Sequence, residues 1–183
     1  MQPTPYQSFL ASAKQQNPLS ALPGNLMIEQ KLDECVQSKD KYSVAYLDID
    51  NFKAYNDVYG FEKGDLVIKL LANILRKLVP ENQFIGHVGG DDFVLILDSI
   101  KAQDDLDQIV DSFEAEVLEL YSQTDIINNY ITAKNRYGRI ERFPLMTLTA
   151  VIVNNESHTY TSTYELSEEL AALKNRAKQH KAC

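Results

Sequence analysis

The sequence predicts one α/β (α+β) domain, a mixed β-sheet flanked by helices. Three observations carry that prediction. The chain has 183 residues, 44% hydrophobic and 24% charged, enough apolar material for one sizeable core. Its hydrophobic periodicity runs helix, strand, helix, hairpin, helix, strand, helix. The hairpin occupies the middle of the chain, which disfavours a doubly wound parallel sheet. The same numbers exclude other classes. A disordered chain would be poorer in apolar residues. No apolar run approaches the roughly 18 residues that a membrane span needs, and no signal-peptide pattern opens the chain.

Eighteen Lys+Arg against 26 Asp+Glu give a formal charge of -8. So acidic a surface argues against nucleic acid or an anionic membrane as partner, though not against a local phosphate site built from metal and backbone. Cys35 and Cys183 lack metal-ligand spacing, and His87, His158 and His180 form no zinc-like cluster. A disulfide framework is therefore not expected, and a reducing cytoplasm is the simpler compartment.

Residues 1–17 are polar and aperiodic and read as a linker or the tail of an upstream domain, with the folded domain over 18–183. From Leu26 the residues Ile28, Leu32, Cys35 and Val36 recur at helical spacing. Residues 42–49 are an aromatic and β-branched run that predicts a buried central strand. The stretch 52–66 reads as a turn rich in Asn, Asp and Gly, leading into the strongest helix of the chain. Leu66, Val67, Leu70, Leu71, Ile74, Leu75 and Leu78 trace one face of that helix, and Pro80 stops it. Runs 84–88 and 93–97, joined by Gly89-Gly90-Asp91-Asp92, predict a hairpin. Leu106, Ile109, Val110, Phe113, Val117 and Leu120 predict another helix. Residues 130–143 predict a second hairpin turning at Tyr137-Gly138, and 145–153 a further strand. Leu166, Leu170, Leu173 and Ala177 face inward on a last helix from about 164 to 181.

Two acidic features close core elements: Asp48-Ile49-Asp50 ends the first strand and Asp91-Asp92 lies in the hairpin turn. Carboxylates converging at strand ends suit hard cations such as Mg²⁺, which take oxygen ligands plus substrate phosphate. Asp is also ordinary turn chemistry, so each feature alone has a bland reading. Gly89-Gly90 serves either a positive-φ turn or close approach of a phosphate to bare backbone. Asp65 reads as a helix cap or as an acceptor for guanine N1–H and its 2-amino group, with Asn56 able to give and receive beside it.

LDIDNFKAYNDVYGFEKGDL followed by VGGDDFVLIL resembles the GGDEF domain of diguanylate cyclases, and residues 17–25 resemble that family's opening motif. The resemblance covers about residues 17–181. It implies a nucleotidyl-cyclase-like mixed sheet with the signature on a β-hairpin. It implies a reaction, two GTP giving cyclic di-GMP and two pyrophosphates, Mg²⁺- or Mn²⁺-dependent, at a homodimer interface. By the same resemblance Asp48, the carbonyl of Ile49 and Asp91 hold the metal, and Asp91 with Asp92 is catalytic. Lys53, the backbone near Phe52 and Lys178 face phosphates, Asn56 and Asp65 read guanine, and Gly89-Gly90 lets the nucleotide lie close.

The chain departs from the family pattern at several places. Asp92 stands where Glu is usual, one methylene shorter, and misplacement by ~1 Å costs about 10²-fold in rate. His87-Val88 replaces Arg-Tyr, Gly60-Phe61 replaces Gly-His, and Thr149-Ala150-Val151 replaces Ser-x-Gly. Lys178 is kept on the last helix, but Ala182 stands at the Arg position, with Lys181 beside it. Pro80 and Gln83 replace the Arg-x-x-Asp of a product-inhibition site, so feedback through that site is not expected. The His-Val-Gly-Gly-Asp-Asp-Phe form, with Arg142-Phe143-Pro144, looks like GGDEF domains that follow EAL and CBS domains in longer chains. A second reading stays open, a catalytically weak GTP-binding module that regulates an EAL phosphodiesterase domain.

Overall fold

A computed structural model describes residues 15–99, 102–135, 137–156 and 158–181. Most of the predicted linker (residues 1–14), together with Ala182 and Cys183, lies outside the described residues. Strand β1 (Ser43–Ile49) is the centre of the sheet and has six of its seven residues buried. It pairs with β3 (Asp92–Leu97) on one side and β6 (Leu148–Asn154) on the other, and β2 (Phe84–Gly89) flanks β3, giving the order β2-β3-β1-β6.

Both sheet faces are covered, which is why β1 is buried on both faces and carries apolar residues from Val44 to Leu47 rather than alternating. On one face Ala45, Leu47, Ile49, Phe93 and Leu95 pack against Val67, Leu71 and Leu75 of α3 (Phe61–Leu78) and Leu106, Ile109 and Phe113 of α4 (Gln103–Glu116). On the other, Val44, Val94, Ile96, Val151 and Val153 pack against Ile28 and Leu32 of α1 (Asn25–Gln37) and Leu166 and Leu170 of α6 (Thr163–Lys181).

Helices flank the sheet as predicted, but every strand pair is antiparallel where a mixed sheet was expected. The helical crossovers do join parallel strands, β1 to β2 and β3 to β6. Each crossover skips one strand, so parallel partners are never neighbours, as in a split βαβ arrangement.

The stretch 52–66 also differs from expectation. It is not a turn but helix α2 (Phe52–Tyr59) running into α3, which starts at Phe61. Asn51 (φ 62°) and Gly60 (φ 86°) punctuate the two helices, and only Ala54 and Tyr55 of α2 are buried, too few to show a periodic signal. The helix predicted to reach Leu120 ends at Glu116 and continues as a 3₁₀ turn (Val117–Leu120), followed by the short α5 (Gln123–Asn128). The second hairpin, β4 (Tyr130–Lys134) and β5 (Ile140–Pro144), forms its own two-stranded sheet. Residues 15–24 make a closed loop ahead of α1: Gly24 N–H donates to the Gln15 carbonyl at 2.7 Å, and Asn17 N–H to the Leu22 carbonyl at 2.8 Å.

Candidate active site

The register of the central strands builds the site. Asp48, the next-to-last residue of β1, lies opposite Asp92 on β3 and opposite Thr149 on β6. The alternation of side chains along β1 puts Asp48 on the face that α6 covers, two residues from Tyr46. Lys174, Lys178 and Lys181 stand at i, i+4 and i+7 on α6 and reach down onto the strand ends.

Asp48 is 6% exposed, and each of its oxygens holds a lysine: Lys178 donates to Oδ1, and Lys174 to Oδ2 at 3.2 Å. Lys174 also lies 3.6 Å from Asp92 Oδ1. Asp50, just past β1, accepts from the Thr147 hydroxyl at 2.8 Å, from the Thr149 hydroxyl at 2.7 Å and from Lys181 at 3.0 Å. Burial alone would lower the Lys178 ammonium, but its hydrogen bond and attraction to Asp48 hold it above the usual lysine value.

Asp91 occupies the hairpin turn, where its carbonyl accepts from the Ile49 N–H at 3.3 Å. Among the described residues its carboxylate is the one of these four without an ion pair. Burial, and then the charge of Asp48, push the Asp91 carboxyl up; burial likewise raises Asp92 against the pull of Lys174. The Oδ1 atom of Asp92 is buried without a hydrogen bond.

Asp91, raised by burial and without an ion pair among the described residues, fits a hard cation. Among the described residues no group of three or more His, Cys, Asp or Glu could hold a metal ion by itself. That suits an ion bound through one or two carboxylates and completed by substrate phosphate, the habit of Mg²⁺.

Of the residues singled out in the sequence, Ile49, Phe52, Lys53, Asp91 and Lys178 line one cleft of about 420 Å³, walled by Lys134, Asn135, Glu141 and Phe143 of the β4–β5 hairpin and its turn. Lys53 is paired within its own helix to Asp57 at 2.7 Å. Gly89 (φ 145°) and Gly90 (φ 56°) take backbone conformations that side chains rarely adopt, and the space beside both is open. Turn geometry and room for a ligand thus coincide there.

Asn56 and Asp65 do not line the cleft. Asn56 packs on Gly64, where an added Cβ would fall 1.8 Å from its Oδ1, and that oxygen is buried without a hydrogen bond. Asp65 follows Gly64 and is exposed in the second turn of α3 rather than capping it.

His87 has a structural place. It is 2% exposed, its Nδ1 lies 2.8 Å from Ser20 Oγ and its Nε2 3.0 Å from the Gly90 carbonyl, and its ring stacks on Phe93. Burial pushes its pKa below the ordinary value. Gln83, at the position read as lacking the inhibition motif, accepts the Asp98 N–H at 2.7 Å.

Sequence reading missed Lys174 and the hairpin wall. Lys174 was visible only as the residue one turn before Lys178 on the same helix face.

The comparisons with known proteins agree with one another. The family model "Diguanylate cyclase, GGDEF domain" matches residues 16–140. The bifunctional diguanylate cyclase/cyclic di-GMP phosphodiesterase MucR of Pseudomonas aeruginosa is 33% identical over 90 residues, 47% of this chain and 13% of that protein. A diguanylate cyclase of Vibrio cholerae is 42% identical over 53 residues, 29% of this chain and 16% of that protein. The chain therefore matches only a small part of these relatives' length. Among solved structures, the coiled coil and GGDEF domain of DgcB from Caulobacter crescentus, in complex with c-di-GMP, superposes with a TM-score of 0.72 at 20% identity, covering 96% of this chain and 86% of that one. At that identity the superposition speaks for the fold alone.

Proposed function

The chain belongs to the GGDEF domain family of diguanylate cyclases, and on that premise we propose that it condenses two GTP into cyclic di-GMP with release of two pyrophosphates. Each of two copies presents one GTP. The 3′-oxygen of one bonds to the α-phosphorus of the other as the bond to pyrophosphate breaks. Asp48, the Ile49 carbonyl and Asp91 hold Mg²⁺ or Mn²⁺, which supplies charge neutralisation at the attacking and leaving oxygens.

The chain's own groups do the positioning. Lys53, Lys178 and the backbone at Phe52 receive phosphate oxygens. Gly89-Gly90 leaves the nucleotide room against the turn. Guanine reading falls to Asn56, whose buried Oδ1 lacks a hydrogen bond and has to turn from Gly64 to meet the guanine amino and imino groups, and to Asp65 as a second acceptor; adenine lacks that donor pair. Asp92, whose carboxyl is pushed up by burial, is suited to take the 3′-hydroxyl proton.

The observation that carries this reading is the meeting of Asp48 with Asp91 and Asp92, from two separate segments, at the rim of the cleft that holds Phe52, Lys53 and Lys178. The test is incubation with GTP and Mg²⁺ or Mn²⁺ and chromatography for cyclic di-GMP, with Asp91→Ala as control.

A second reading rests on Lys174 beside the shortened Asp92: a GTP-binding module that regulates a linked or partner EAL phosphodiesterase domain. Tight GTP binding without product, in a chain long enough to pair, selects it. Among the described residues no helix is long and apolar enough to cross a membrane.

A further inference from the structure

Lys174 takes no part in the chemistry above, yet it is the most enclosed of the ammonium groups at the site. Its side chain is 24% exposed, its Nζ sits 4.5 Å above the Tyr46 ring, and it bridges carboxylates on two adjacent strands, Asp48 at 3.2 Å and Asp92 at 3.6 Å. Two-metal phosphoryl-transfer sites place their ions ~3.5–4 Å apart, each held between carboxylates and substrate oxygens. The ground between Asp48 and Asp92 is where a second such ion would go, and an ammonium already stands there.

We propose that the Lys174 ammonium takes the place of a second divalent ion, so that this chain binds one divalent ion per nucleotide where its carboxylates alone would bind two. This rests on the cation-dependent GTP site proposed above and goes beyond it by assigning the number of ions and the residue that sets it.

The charge distribution supports it. Asp91 alone has no lysine partner among the described residues, so the one ion proposed above binds on the Asp91 side of Asp48, while Lys174 holds the side toward Asp92. Lys178 does different work from its position on the other oxygen of Asp48: its ion pairs are with Asp48 and Asp50, and it lines the cleft with Phe52 and Lys53. A fixed ammonium carries charge but offers no open coordination position. Lys174 is therefore a positioning residue, acting through Asp48 and Asp92.

The test is electron paramagnetic resonance of Mn²⁺ bound to the protein with a non-hydrolysable GTP analogue. The wild type should give the signal of isolated Mn²⁺ ions. Lys174→Met and Lys174→Gln should each give a magnetically coupled ion pair, and Lys174→Arg should restore the isolated signal; a merely structural role for Lys174 would change none of these. Thermal melting verifies that each variant is folded. A coupled pair in the wild type, or isolated ions in both Lys174→Met and Lys174→Gln, overturns the inference alone. A Mn²⁺ signal unaltered by the protein, and equally unaltered in Asp91→Ala, overturns the cation-dependent site beneath it.

Discussion

Each of the four acidic side chains at the strand ends has a different environment, and the differences dictate different outcomes on substitution. Asp91 is partly buried, has no ion pair among the described residues and has its carboxyl raised by burial and by Asp48. A carboxyl whose native pKa exceeds its unfolded value weakens the fold when ionised and ceases to do so as pH falls through the raised value. Asp91→Asn should therefore raise the melting temperature without divalent ions at pH 7.5 while lowering cyclic di-GMP formation by about 10²-fold or more; melting curves and product chromatography check the two halves. His87 is the opposite kind of group. Its native value lies below the ordinary 6.5 because burial disfavours the charged ring. Its contribution is complete above about pH 6.5 and is lost as pH falls through the lowered native value. Melting temperatures between pH 7.5 and 5 should fall more steeply for the wild type than for His87→Phe. The acidic pairs were legible in the sequence because they close apolar strands and flank two glycines. Lys174 was not, because a lysine on an amphipathic helix ordinarily reads as solvated surface and only the register of β1 against β3 brings two carboxylates beneath it.

The sheet and its two covering layers were legible element by element. β1, α3 and the β2–β3 hairpin carry long apolar signals; β1 and the hairpin form close to their predicted bounds, while α3 starts at Phe61, ahead of the predicted face that opens at Leu66. Helix α2 was not legible, since its Asn and Asp content reads as a turn and its burial is confined to Ala54 and Tyr55. Two close approaches between elements are set by glycine and yield predictions. At Gly86 on β2, an added Cβ would lie 2.5 Å from Ile28 Cγ1 of α1. Gly86→Ala should cost about 1–3 kcal/mol by overpacking, measured by denaturant unfolding. At Gly64 on α3 the obstructed atom is Asn56 Oδ1. Gly64→Ala should displace that amide and weaken GTP binding about tenfold, on the scale of ~1–3 kcal/mol for a lost buried hydrogen bond, with little change in Mn²⁺ binding.

Across the whole molecule, the antiparallel sheet with skipped-strand crossovers delivers the end of β1, the start of β3, the start of α2 and the last turns of α6 to one rim. That convergence joins residues more than 100 positions apart, such as Lys178 and Asp48, and no local pattern announces it. At net charge -8 the molecule as a whole repels a polyanion, so a cation carried with the nucleotide strengthens its binding at this rim. Ligand binding to the native state alone should also raise the melting temperature with ligand concentration, by the equivalent of ~2.7 kcal/mol at 100 times the dissociation constant. The most direct measurement is GTP affinity by titration calorimetry in Mg²⁺ and again in excess chelator, with ATP as competitor. The account predicts GTP binding that weakens at least tenfold in chelator and in Asp91→Ala, and that ATP does not displace. Equal affinity with and without Mg²⁺, or equal affinity for ATP, would contradict it.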